Sequence, residues 1–159
     1  MKKIIALILA LTMVFALAAC GSSAAREPDF SAVCQKVDES VSVAGTLTAV
    51  DADYIKGALG IDSSAYTDAM VKVTNTGTAI DEYGVFKCTD DKAAEAVKAA
   101  VEAYIQQRID TWMGYTPEEL PKLENADLEA EGSYVFYAIL GDAERDSASS
   151  AFTACFAEG

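Results

Sequence analysis

The sequence predicts an α+β fold: a two-layer sandwich in which an antiparallel sheet of about four strands carries packed helices. Three observations predict it. Residues 69–74 and 79–88 form two β-branched or apolar runs folded back through Asn75-Thr76-Gly77. Residues 122–131 alternate and return through Gly132 into an apolar run, 133–140, whose two apolar faces suit a central strand. Each pair is followed by a stretch of helical periodicity, so the order reads αα-ββα-ββα.

The chain opens on a leader. Lys2 and Lys3 precede a run from Ile4 to Ala19 that is apolar except for Thr12, and Leu17-Ala18-Ala19-Cys20 follows the pattern of a lipobox. The run is short for a membrane span and ends on small residues, as a cleaved signal peptide does. Residues 1–19 are thus expected to be removed, and Cys20 to carry lipid. Residues 20–28, the lipidated cysteine followed by the small, polar Gly21 to Pro28, make a tether, which leaves 29–159 as a single domain. Eight residues reach about 25–30 Å fully extended and about 15 Å as a coil. The expected address is the outer face of the cell membrane.

Within the domain, Asp29 caps a first helix with Phe30, Val33, Cys34, Val37 and Val41 on one face. A short second helix fits 51–59, with Asp51 as cap, Ile55 and Leu59 inward, and Gly60 as the stop. After the first strand pair, Thr89 is positioned to cap the longest helix, 90–113, whose stripe is Val97, Val101, Tyr104, Ile105 and Trp112. Thr116-Pro117-Glu118-Glu119 has capping-box form and predicts one helical turn before Pro121. A last helix, 144–156, turns Ala148, Phe152, Cys155 and Phe156 inward.

Composition excludes more than it assigns. The formal charge is −13, and loss of Lys2 and Lys3 with the leader takes it to −15. Such a domain repels nucleic acid and anionic headgroups. There is no histidine, which removes His-based nucleophile pairs and H-E-x-x-H zinc sites. No phosphate-cradling glycine loop is present, and no cofactor is implied. Asp127-x-Glu129-x-Glu131-Gly132 starts like a calcium loop, but its twelfth position is Ala138 rather than a bidentate Glu. With Cys20 lipidated, Cys34, Cys88 and Cys155 remain. An odd number cannot all pair within one chain; they read as one bridge at most, or as three small apolar core residues.

Asp81-Glu82-Tyr83-Gly84-Val85-Phe86-Lys87-Cys88, then Asp90-Asp91-Lys92-Ala93-Ala94-Glu95, Tyr115 near Pro117, and Gly132-Ser133-Tyr134-Val135-Phe136 follow one another at characteristic spacing. With Leu59-Gly60-Ile61-Asp62 upstream, the chain resembles the domain of unknown function 4358 family, small lipoproteins of Gram-positive bacteria. The resemblance implies an envelope lipoprotein without an assigned activity. It supplies no catalytic residues.

A candidate surface follows from the second hairpin. If Glu131-Gly132 is a two-residue loop, Ala130 opposes Ser133, Leu128 opposes Val135 and Ala126 opposes Tyr137 on the core face. The reverse face then sets Glu129 beside Tyr134 and Asp127 beside Phe136, an acidic and aromatic surface suited to a basic peptide or a sugar. Alternatively, the N-terminal helix covers Tyr134 and Phe136. Burial of Phe136 beneath Phe30 and Val33 would remove the surface. The functional expectation is a binding module for an envelope protein or small ligand and not an enzyme. The alternatives are a carboxylate-dependent cell-wall or peptide hydrolase, and a structural accessory.

Overall fold

The computed structural model describes residues 27–157; the leader and Cys20 lie outside them. The fold is α+β, built on a five-stranded antiparallel sheet. Its strands are β1 (Thr48–Ala49), β2 (Tyr66–Val73), β3 (Glu82–Cys88), β4 (Asp127–Glu131) and β5 (Tyr134–Ile139), in the order β1-β2-β3-β5-β4. The fifth strand is β1, a two-residue edge too short to leave a periodic signal.

Helices lie on both faces, so the sandwich has three layers rather than two. The first face of the sheet packs Val71, Phe86, Val135, Tyr137 and Ile139 against Val97, Val101 and Tyr104 of α3 (Asp91–Trp112). Ile55 and Leu59 join that cluster from a short helical element, α2 (Ala52–Tyr54), which continues as a π-turn over Ile55–Leu59. The second face packs Tyr83, Val85, Tyr134, Phe136 and Ala138 against α1 (Phe30–Ser40) and α5 (Asp142–Ala154). Strand period two divides the core in this way: β3 and β5 are apolar on both faces and therefore need a helical layer on each. Every residue of β5 is buried.

The caps fall close to their predicted places. Asp29 accepts from the Ala32 amide at 3.2 Å, and Asp51 from the Tyr54 amide at 2.9 Å. Gly60 ends the second helical element at φ +71°, a left-handed position where glycine carries no steric penalty. The cap of α3 is Asp90 rather than Thr89, its carboxylate taking the Ala93 amide at 2.7 Å. The predicted turn before Pro121 stands further on as α4 (Leu120–Glu124), with Pro121 in its first turn. Lys122 accordingly belongs to a helix, and β4 begins only at Asp127.

The second hairpin keeps its predicted faces with altered partners. Gly132 and Ser133 form the turn, Gly132 at φ +57°, so Ala130 opposes Val135 and Leu128 opposes Tyr137. Each partner moves by two residues, an even shift that leaves every side chain on its original face.

Candidate functional site

The candidate surface on the second sheet face does not exist as an open face. Tyr134 and Phe136 are both fully buried. Phe30 stacks on Tyr134 at 6.5 Å between ring centroids, and Phe152 stacks on Phe136 at 5.0 Å. Glu129 does oppose Phe136, and Asp127 opposes Ala138, but both carboxylates are only partly exposed at the sheet edge. Ser149 of α5 donates a hydrogen bond to Glu129. Burial, reinforced by the Asp127 and Glu131 charges, raises the Glu129 pKa. The apolar stripe of α1, with Phe152 of α5 and Phe156 just beyond it, closes over the two rings, because an open aromatic face that large would be costly in water.

The polar chemistry of the domain gathers instead at the start of β3. Asp81, Glu82 and Tyr83 each anchor a different neighbour. Asp81 pairs with Lys122 at 3.0 Å, and Lys122 also binds Glu119 at 2.9 Å, which ties α4 to the sheet. Tyr83 points to the opposite face and donates to Asp38 of α1 at 2.6 Å. Lys72 completes that contact with an ion pair to Asp38.

Glu82 is the centre of the first face. It is 2% exposed, and both its oxygens are engaged. Tyr137 donates to Oε1 at 2.5 Å; Tyr104 donates to Oε2 at 2.9 Å and Arg108 to the same oxygen at 2.5 Å. Arg108 also lies over the Tyr104 ring, 5.4 Å from its centroid. A buried carboxylate is tolerated only when paired and hydrogen-bonded, and this one is both. Burial raises the Glu82 pKa, with Arg108 and the two phenols pulling against it. For Arg108, burial works against the charge, and Glu82 and Tyr104 outweigh it, so its pKa stands above the ordinary value.

Gly84 makes the network reachable. It faces Tyr137 across the β3–β5 ladder, and no side chain obstructs the phenol as it crosses β3 toward Glu82. Helical spacing supplies the rest: Tyr104 and Arg108 are four apart on α3 and therefore share one side.

Above Arg108 the network opens into a groove of about 370 Å³ between the turn of α2 and the second half of α3. Tyr54 and Trp112 wall it, Tyr104 and Arg108 form its floor, and Gln107 and Thr111 supply uncharged polar groups. It continues past Trp112 to Tyr115, which is 72% exposed, and past Gly57 toward the small side chains Ala100 and Ala103. Among the described residues no carboxylate lines these three cavities.

A family model described as a domain of unknown function (DUF4358) matches residues 39–140. The chain belongs to this family. No curated protein and no solved structure matches it. The matched DUF4358 segment contains the whole Glu82 network and all the groove residues named above. It excludes α5 and all but the end of α1, the two helices that cover Tyr134 and Phe136. In this DUF4358 chain the groove was hidden from sequence reasoning for a simple reason. Tyr104 and Trp112 read as a core stripe, and nothing local places Glu82 beneath Arg108, 26 residues away.

The remaining sequence candidates carry no assembled chemistry. Among the described residues no cluster of three metal-ligating side chains occurs, and no helix is long and apolar enough to cross a membrane. Cys88 is buried and Cys34 half-buried, and both are free thiols. Burial, with neighbouring carboxylates, pushes Cys34 up to about 12 and Cys88 up to about 11. The Cys155 thiol donates to the Ala151 carbonyl at 3.2 Å.

Proposed function

We propose that this DUF4358 protein is a lipid-anchored, extracytoplasmic binding module of the cell envelope, held by lipid on Cys20 and acting through the groove over Arg108. The observation that carries the reading is the groove itself: two aromatic walls, a fixed guanidinium on the floor and, among the described residues, no carboxylate in the lining. Tyr, Trp and Arg are the residues that dominate binding energy at recognition sites. Their guanidinium is held in place by a buried acid, so little orientation is lost when a ligand arrives. The hydrolase alternative needs two facing carboxylates, and Glu82 has both oxygens occupied beneath the groove.

The position of the groove suits an anchored protein. The tether enters beside the first turn of α3, where Glu27 accepts from the Ser133 amide at 3.1 Å and shares a cavity with Asp90 and Lys92. Trp112 ends the same 22-residue helix, about 33 Å further along. The groove thus opens toward the end of α3 far from Glu27. The acidic domain is itself repelled by an anionic surface, so its ligand is sought in the envelope space, as a protein or a small molecule, and not as nucleic acid.

Two measurements test the reading. Cys20→Ala is expected to release the folded protein from the membrane fraction, and its retention there contradicts the anchor. A photoreactive group at Tyr54 is expected to form envelope adducts that the same group at exposed Glu95 does not; equal labelling at both positions removes the groove as the site.

A further inference from the structure

Among the described residues Arg108 is the only charged side chain lining the groove and its two extensions. Its donors divide unevenly. Nη1 is committed to Glu82 and to the Tyr104 hydroxyl, at 2.5 and 3.1 Å. Nε and Nη2 have no acceptor among the described residues. Glu82 meets Arg108 through Nη1 alone, while Tyr137 and Tyr104 donate to its two oxygens. A guanidinium held by one edge and unsatisfied along the other has the geometry for a second, bidentate acceptor, and a carboxylate fits that fork best.

The surroundings narrow the ligand further. Tyr54 and Trp112 line the groove with aromatic rings, and among the described residues Gln107 and Thr111 are the only other uncharged polar side chains there apart from Tyr104. An acidic sugar brings several ring hydroxyls, and each one buried without a partner costs binding. An α-carboxylate beside an apolar side chain brings one anion and one apolar group, which matches one cation and two aromatic walls. The volume, about 370 Å³, lies within the range of small-ligand sites.

We propose that the groove binds an amino-acid or short-peptide α-carboxylate, with Arg108 taking the carboxylate through Nε and Nη2 and with Tyr54 and Trp112 holding the adjoining side chain. This assignment rests on the groove being the binding site, and it adds the chemical class of ligand. The extensions toward Tyr115 and toward Ala100 give a peptide chain a path out of the groove.

Trp112 is the only tryptophan in the chain, so its fluorescence reports on the groove without labelling. The full-length protein in detergent is titrated with N-acetyl-phenylalanine, its amide, glucuronate and glucose. A saturable change with N-acetyl-phenylalanine, at least tenfold weaker with the amide and with glucuronate, is the expected result. Arg108→Gln is expected to abolish the difference between acid and amide. Because Arg108→Gln also disturbs Glu82, Tyr54→Ala serves as the second variant. It removes a wall whose ring is two-fifths exposed, and is expected to weaken binding of the acid tenfold with an unchanged denaturation midpoint. Equal affinity for acid and amide, or tighter binding of glucuronate, overturns the carboxylate assignment while leaving the groove as a site. A flat response to all four probes up to about 10 mM overturns it as well, and the Tyr54 crosslinking experiment then decides separately whether the groove binds anything.

Discussion

The Cε1 atom of Tyr137 lies 2.6 Å from the point that a Cβ on Gly84 would occupy. Val71 crowds the same point at 2.9 Å, and the Met70 carbonyl at 3.2 Å. The glycine is therefore required by close approach and not by backbone conformation, since its φ is not positive. Gly84→Ala is expected to destabilise the domain by about 3 kcal/mol through overpacking. In a Tyr137→Ala background the same change should cost less, because the nearest obstruction is gone and only Val71 and the Met70 carbonyl remain. Urea denaturation of the four proteins measures the coupling, and strict additivity contradicts the steric account.

Arg108 neutralises Glu82 where water cannot. Arg108→Met strands a carboxylate that is 2% exposed, at an expected cost of about 3–5 kcal/mol. Glu82→Leu combined with Arg108→Met removes both charges and should recover a large part of that loss. The same denaturation assay reads it; a double variant no more stable than Arg108→Met contradicts the pairing.

The Glu82 pKa, raised by burial, fixes the sign of one pH dependence. A folded-state carboxyl that holds its proton more tightly than the unfolded chain adds stability below the unfolded value near 4.3. That contribution is lost as pH rises through the higher folded value. Tyr104, Tyr137 and Arg108 face the carboxylate directly, and Tyr54 lies within range of its charge. The stability of the wild type minus that of Glu82→Gln should therefore fall with rising pH, from about pH 4 upward. A difference that rises over that interval means that Arg108 and the phenols outweigh burial.

Local chemistry made much of the fold legible. Asp29, Asp51 and Gly60 cap or stop their helices as their side chains dictate, and the period of Val97, Val101 and Tyr104 marks α3. The second layer was harder to read. The apolar character of β5 on both faces predicts a central strand, but α5 carries a serine-rich sequence with one aromatic, Phe152, and Phe156 just beyond its end, which gives little sign of closing a sheet face. The groove was less legible still. It depends on Glu82, Tyr104, Arg108 and Tyr137 meeting across three elements, and a buried carboxylate cannot be told from a solvated one by spacing alone. The Asp81-Glu82-Tyr83-Gly84 run did mark the place, as a family resemblance without a stated role.

The thiols offer a check on burial that does not depend on denaturation. With Cys34 pushed up to about 12 and Cys88 up to about 11, little thiolate is present near pH 8. Alkylation of both by iodoacetamide should be slower than in the urea-unfolded chain, on the order of a hundredfold or more. Peptide-level mass spectrometry separates the sites. Rapid labelling of Cys88 in the native protein would contradict its enclosed position under the α3 layer.

Burial of Phe136 distinguishes a covered sheet face from a binding face, and energetics can decide between them in solution. The ring is fully buried and stacked on Phe152 at 5.0 Å with an interplanar angle of 17°. Phe136→Ala leaves a cavity between β5 and α5, at an expected cost of about 3–5 kcal/mol. Tyr115→Ala removes a comparable ring that is 72% exposed. Away from the core such a change is expected to stay within about 0.5 kcal/mol. The pair therefore separates two kinds of aromatic: one holds the fold, and the other is exposed beside the groove. If Phe136→Ala is as mild as Tyr115→Ala, α1 and α5 do not stay closed over the sheet, and the acidic, aromatic face around Glu129 returns as a surface.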